Sequence, residues 1–293
     1  MSRTAPAQSN PRLASYGARP GHRGRGSVVV LALGLVLLPG CRRSPAPLVL
    51  ASTTSTQDSG LFDELLPAFE KAEPRYQIRL VAVGSGEALR LGERGDADVL
   101  LVHSPAAEAE FMKAGHGEAR RPVMYNDFVI VGPAPDPAAI RGLGAVAAFR
   151  AMAGRGTAFA SRGDDSGTHL KELALWQAAG VSPTGEAWYI DVGQGMGETL
   201  GVAAERGAYA LTDRSTFLFM KHLGNLQILV QGDSTLFNPY SVIVVRGARN
   251  LAGARAFARW ITSPEGQALI GNYGKARFGR ALFTPSAPAG GAR

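Results

Sequence analysis

The stretch Thr157-Ala-Phe-Ala-Ser-Arg-Gly-Asp-Asp-Ser-Gly-Thr-His-Leu-Lys171 gathers three hydroxyls (Ser161, Ser166, Thr168), one guanidinium (Arg162) and two glycines (Gly163, Gly167) around a single turn. Thr157 to Ala160 reads as a short buried strand. Leu170, Leu173, Ala174, Trp176 and Gln177 then fall at helical spacing up to a Gly180 stop. The first N–H groups of such a helix have no partner inside it and carry partial positive charge, so the turn is suited to hold an oxyanion. The same residues also allow a plainer reading, with Asp164 or Asp165 and Ser166 as an ordinary cap and Arg162 as a salt-bridge partner. A nucleophile–base pair of Ser166 and His169 has no evident third member.

Two further strand-to-helix turns repeat the pattern. Leu48 to Ala51 is an apolar strand that runs into Ser52-Thr-Thr-Ser-Thr-Gln-Asp-Ser59, with six hydroxyls in eight positions, ahead of a helix on Leu61, Leu65, Leu66 and Phe69. Tyr76 to Val83 alternates as a strand and meets Gly84-Ser85-Gly86, too short of glycines for a dinucleotide fingerprint and lacking a nucleophile elbow. A solvated loop and a tight turn are the plain alternatives.

The elements that must position these turns alternate in type. Asp98 to His103 reads as a strand, Pro105 to Ala114 as a helix, and Asp127 to Val131 as a strand. A second βα series runs from about Gly142 to Leu236, with a strand at Tyr209 to Leu211, and the tail is helical with a restart at Ser263-Pro264-Glu265. Such alternation implies an α/β fold with parallel sheets and helices on both faces, and ligands held outside the carboxyl ends of the strands. Asn126-Asp-Phe-Val-Ile-Val131 and Asn238-Pro-Tyr-Ser-Val-Ile-Val-Val245 resemble one another, and are read as strands leading out of a first lobe and back. The boundaries expected are 48–131 with 239–281 for lobe 1, 132–238 for lobe 2, and 282–293 as a disordered tail.

The net charge of +7 is misleading. Residues 1–40 hold Arg3, Arg12, Arg19, Arg23 and Arg25 and no acid, which leaves 26 basic against 24 acidic residues elsewhere. A nucleic-acid surface is therefore not expected. Val28 to Leu38 is an apolar run of the length of a signal-peptide core, followed by Pro39-Gly40-Cys41. Residues 1–40 read as a signal peptide, Cys41 as the lipidated N-terminus, and 41–47 as a tether. With one cysteine in the chain no internal disulfide can form, and the five scattered histidines show no zinc spacing, so no metal site is expected. Trp176, Trp188 and Trp260 are read as core.

Leu50 to Leu61, Ala82 to Leu89, Asp96 to Pro105, Tyr125 to Pro133 and Ser161 to His169 together resemble the motifs of the tungstate-binding proteins of ABC importers, over roughly 48–273. The resemblance implies a two-lobed periplasmic-binding-protein fold (type II), each lobe a βα sheet, with the ligand in the cleft between lobes. It implies that Thr54, Ser55, Ser85, Arg162, Ser166, Gly167 and Thr168 surround the ion. It further implies a monomeric, periplasmic or cell-surface receptor with tungstate, or molybdate, as ligand, no cofactor, and a membrane permease as partner. The rivals are an extracytoplasmic sensor binding the same ion and, from a different class, a serine hydrolase using Ser166 or Ser85. The receptor reading requires Ser55, Ser85 and Ser166 to face one hollow.

Overall fold

The computed structural model describes residues 44–220 and 223–287. The expected signal peptide and Cys41 lie outside the described residues. The chain begins with β1 (Ala46–Thr53), α1 (Thr54–Asp58), α2 (Leu61–Ala72), β2 (Tyr76–Val83), α3 (Ser85–Glu93), β3 (Val99–Val102), α4 (Pro105–Lys113) and β4 (Gly117–Pro133). It continues with α5 (Ala145–Gly154), β5 (Phe159–Ser161), α6 (Gly167–Ala179), β6 (Tyr189–Asp191), α7 (Met196–Arg206), β7 (Ala210–Asp213), α8 (Arg214–Phe219) and β8 (Leu226–Val230). A 3-10 turn (Ser234–Leu236), β9 (Phe237–Val245), α9 (Leu251–Ile261), α10 (Pro264–Asn272), α11 (Lys275–Phe278) and β10 (Thr284–Pro285) complete it.

The fold is α/β and two-lobed. In the first lobe the sheet runs in the order β10-β4-β9-β3-β1-β2. Strand alternation puts Leu48, Leu50, Val99, Leu101, Val242 and Val244 on one face, under α2 and α9. Ala51, Leu100, Val102 and Ile243 lie on the other, under α3 and α4. Phe69 meets Phe257 and Trp260 edge-on at 5.2 and 5.6 Å. In the second lobe the far end of β4 repeats this arrangement. Phe128 and Ile130 pack with Phe149, Phe159 and Trp176, whereas Val129 and Val131 pack with Met196 and Leu200.

The pairing is mixed rather than parallel throughout. β1 is parallel to β2 and β3, and β5 to β6, as βα alternation dictates. β9, however, is antiparallel to both β3 and β4 because it returns from the second lobe and not from a helical crossover. β4 is the strand common to both lobes. It pairs with β9 from Gly117 to Asp127 and with β7 from Phe128 to Val131, and the two similar segments lie side by side, Asn126 opposite Asn238.

Three expectations need correction. The tether of 41–47 is cut short, because Ala46 already pairs with Tyr76 in β1. The hydroxyl-rich segment after β1 is not a loop but the short helix α1, capped by Thr53 accepting from Thr56 N–H. The tail of 282–293 is ordered as far as 287. Leu282 and Phe283 are buried in the first core, Thr284 and Pro285 pair with Tyr125 and Met124, and Ser286 N–H donates to the Val123 carbonyl at 3.0 Å. Residues 288–293 lie outside the described residues.

Candidate functional site

Each hydroxyl-bearing turn ends as a helix start. α6 starts at Gly167 because Ser166 caps it, its Oγ accepting from His169 N–H at 3.2 Å, and α6 stops at Gly180 with φ 72°. α3 starts behind Gly84 and α1 behind Thr53. The three starts meet. Gly84 and Gly86 lie against the backbone of Ser166 and Asp165, and a Cβ on Gly167 would come within 2.8 Å of the His103 carbonyl oxygen and 3.1 Å of Ser85 Oγ. Only glycine permits that approach. Arg162 reaches across from the end of β5, Nη2 donating to Thr54 Oγ1 at 3.1 Å, and it also pairs with Asp164. Ser55 Oγ lies 3.4 Å from His103 Nε2. Thr54, Ser55, Ser85, Arg162, Ser166 and Gly167 are thus brought together, with Thr168 one residue further along α6.

The plainer reading of the opening stretch is present in the structure. Ser166 is a cap and Asp164 is the partner of Arg162, yet these bonds do not exhaust the site. Arg162 is 1% exposed, and Ser55, Ser85, Ser166 and Thr168 are buried. Five buried side-chain polar atoms lack a hydrogen-bond partner among the described residues. Four of them are here: Ser85 Oγ, Thr168 Oγ1, and Nε and Nη1 of Arg162. Leaving a buried donor unpaired costs about 1–3 kcal/mol, and more for a charged one. Buried donors without partners, contributed by both lobes at neighbouring helix starts, are chemically suited to a group that is all acceptor and negatively charged, such as a tetrahedral oxyanion.

His103 was not anticipated as part of the site. Its Nδ1 lies 2.9 Å from Asn238 Oδ1, and Asn238 Nδ2 donates to Asn126 Oδ1 at 2.7 Å. Asn238 Oδ1 is therefore an acceptor, so the imidazole carries its proton on Nδ1 and offers Nε2 to the Ser55 hydroxyl. Burial, and secondarily the Arg162 charge, hold its pKa down at about 4 despite the Asn238 bond, so the ring stays neutral. The sequence did hold a signal for it, since His103 follows β3 directly, at the same carboxyl edge as the hydroxyl turns. Glu172, on α6 behind Arg162, is also buried. It accepts from Trp176 Nε1 at 3.1 Å and Tyr189 OH at 2.7 Å. On the lobe interface Asp58 is raised to about 6 by burial and then by the Glu198 charge. No group of three or more His, Cys, Asp or Glu side chains able to hold a metal ion occurs among the described residues.

A family model described as a PBP superfamily domain matches residues 5–265. The chain is 47% identical over 280 residues to the tungstate-binding protein TupA of Peptoclostridium acidaminophilum, a match covering 89% of this chain and 96% of that one. Among solved structures it is similar to the tungstate-binding protein TupA from Desulfovibrio alaskensis G20, with a TM-score of 0.68 at 46% identity over 83% of this chain and 100% of the other. The tungstate ABC transporter structure from Geobacter sulfurreducens gives a TM-score of 0.69 at 47% identity, covering 78% and 98%.

Proposed function

This chain belongs to the PBP (periplasmic-binding-protein) superfamily, in the family of the tungstate-binding proteins, and from that premise we propose that it captures tungstate outside the cytoplasm and delivers it to an ABC permease. It is a transport receptor and not an enzyme. The observation that carries the reading is the set of buried, partnerless donors on Ser85, Arg162 and Thr168. A tetrahedral dianion needs its charge offset and its oxygens saturated. Neutral O–H and helix-start N–H groups supply most of those bonds without adding charge, and the Arg162 fork adds two charge-assisted ones. Enclosure removes water and strengthens each of them.

In this reading Thr54, Ser55, Ser85, Arg162, Ser166, Gly167 and Thr168 line the ion. The bond of the Ser55 hydroxyl to His103 favours a contact from the Ser55 backbone N–H. Calorimetric titration with tungstate, molybdate and sulfate tests the proposal. Tungstate is expected to bind tightest and sulfate weakest, because the smaller ion leaves donors out of reach. Equal, micromolar-or-weaker binding of all three defeats it.

The lobes are taken to divide near 131 and 239, on β4 and β9, and the protein to act as a monomer. Residues 1–40 are read as a cleaved signal and Cys41 as its lipidated new N-terminus, which the basic leader and apolar run support. Membrane retention that survives Cys41→Ser counts against lipidation.

A further inference from the structure

Behind the cradle, and unused by it, lies a fully buried carboxyl group. Asp213, at the junction of β7 and α8, is 0% exposed and forms no salt bridge among the described residues. Its two oxygens have unlike surroundings. Oδ1 takes every clear donor: Thr216 N–H at 3.0 Å, Asn126 Nδ2 at 3.2 Å, and the Ser215 hydroxyl. Oδ2 has only the Thr216 hydroxyl, at 2.6 Å. That hydroxyl also lies 2.9 Å from the carbonyl oxygen of Ser55, across the lobe interface. One hydroxyl proton cannot fill both short oxygen–oxygen contacts with linear bonds. A proton on Asp213 Oδ2 resolves the count, with Oδ2–H donating to Thr216 Oγ1 and Thr216 O–H donating to Ser55.

We propose that Asp213 is held as a neutral carboxylic acid and serves as a positioning residue for Ser55. Two chains of hydrogen bonds run from it to that one serine. The first passes through Thr216 to the Ser55 carbonyl oxygen. The second passes through Asn126, Asn238 and His103 to the Ser55 hydroxyl. Their donor directions agree at every link, which fixes both the amide and the side chain of Ser55 at the start of α1. Neutrality also suits the site, since a bare carboxylate buried behind a dianion cradle would repel the ion. Burial pushes the Asp213 carboxyl up, in the same sense.

The groups facing Asp213 are Tyr240 on β9, itself raised by burial, Asp58 on α1, and the Arg214–Asp127 pair beside it. Asp58 is raised to about 6, by burial first and then by the Glu198 charge.

Two measurements on the full chain test the proposal, and the second rests on the oxyanion reading above. The first is an infrared difference spectrum of wild type against Asp213→Asn at pH 7, which is expected to show a protonated-carboxyl C=O band lost in the variant. Absence of that band overturns the proposal whatever the ligand. The second is tungstate affinity at pH 7. Asp213→Ala is expected to weaken binding about tenfold or more, while Asp213→Asn, an amide that donates from one atom and accepts on the other, restores most of it. An asparagine variant as weak as the alanine variant, or an alanine variant as tight as wild type, overturns the positioning role. Wild type that binds no tungstate defeats the oxyanion reading and leaves the infrared result standing.

Discussion

Arg162 holds a permanent charge at 1% exposure with no partner for its Nε and Nη1 donors, an arrangement that folding alone does not favour. Taking a guanidinium out of water costs several kcal/mol, and Asp164 with Thr54 offsets only the Nη2 side. A residue kept for packing would show the opposite pattern, with its polar atoms satisfied by the protein. Replacing it should therefore separate binding from stability. Arg162→Met keeps the unbranched stem and removes the charge. Oxyanion affinity is expected to fall by about 1.5–3 kcal/mol, the scale of a charged hydrogen bond. Urea unfolding of the ion-free protein is expected to show stability equal to wild type or higher, because a buried charge has gone. A loss of ion-free stability as large as the loss of affinity would mean that Arg162 is structural.

Among the elements, α6 joins the site to the second core, and Glu172 is where it does so. The carboxyl of Glu172 accepts from Trp176 on its own helix and from Tyr189 on β6, and a bond from the Arg162 amide also lowers its pKa. Burial outweighs these bonds and raises it from 4.5 to about 7. A folded-state pKa above the unfolded one gives stability that is complete below pH 4.5 and lost as the pH rises through about 7. The ceiling is on the order of 3 kcal/mol for a shift of that size. Asp58, raised to about 6, adds a slope of the same sign. Glu172→Gln is thus expected to flatten, without abolishing, the fall in unfolding free energy between about pH 5 and pH 8, measured by urea denaturation. Identical slopes in the two proteins would remove Glu172 as the cause. This scale also shows what the sequence could reveal. α6 was legible because its cap, its periodicity and Gly180 are local. β4 was legible only over Asp127 to Val131, because Glu118, Arg120 and Arg121 become a strand through pairing with β9. The hydroxyls of α1 pointed to a candidate site but not to a helix, since Ser and Thr favour caps and turns until tertiary contacts hold them. The network that joins His103, Asn126, Asp213 and Asn238 stayed hidden because the bonds among them link residues 87 to 135 positions apart.

At the scale of the whole molecule, the question is what keeps the lobes together around the cradle. α8 belongs to both. Leu218 packs on the first core and Phe217 and Met220 on the second, so a boundary that assigns 132–238 to one lobe divides it too simply. Phe219 at its end lies flush against the first lobe. A Cβ on Gly60, where φ is 74°, would come within 2.4 Å of the Phe219 ring, and the Arg277 guanidinium sits 4.3 Å from the ring centroid. Close by, Tyr273 OH donates to the Ser59 carbonyl at 2.7 Å, so α1 is gripped from the first lobe as well as through Thr216. None of these groups is among the residues proposed to line the ion. Their contacts should therefore stabilise the closed form without touching the ligand, and they should act on how long the ion stays. Phe219→Ala removes the ring face and its cation–π contact, together worth about 1–3 kcal/mol when closed. The expected result in stopped-flow displacement of tungstate is dissociation faster by roughly tenfold with little change in association, the usual division for an altered interface. An unchanged dissociation rate would show that Phe219 keeps its neighbours after opening, and would leave the clasp to contacts such as Thr216–Ser55 and Arg162–Thr54.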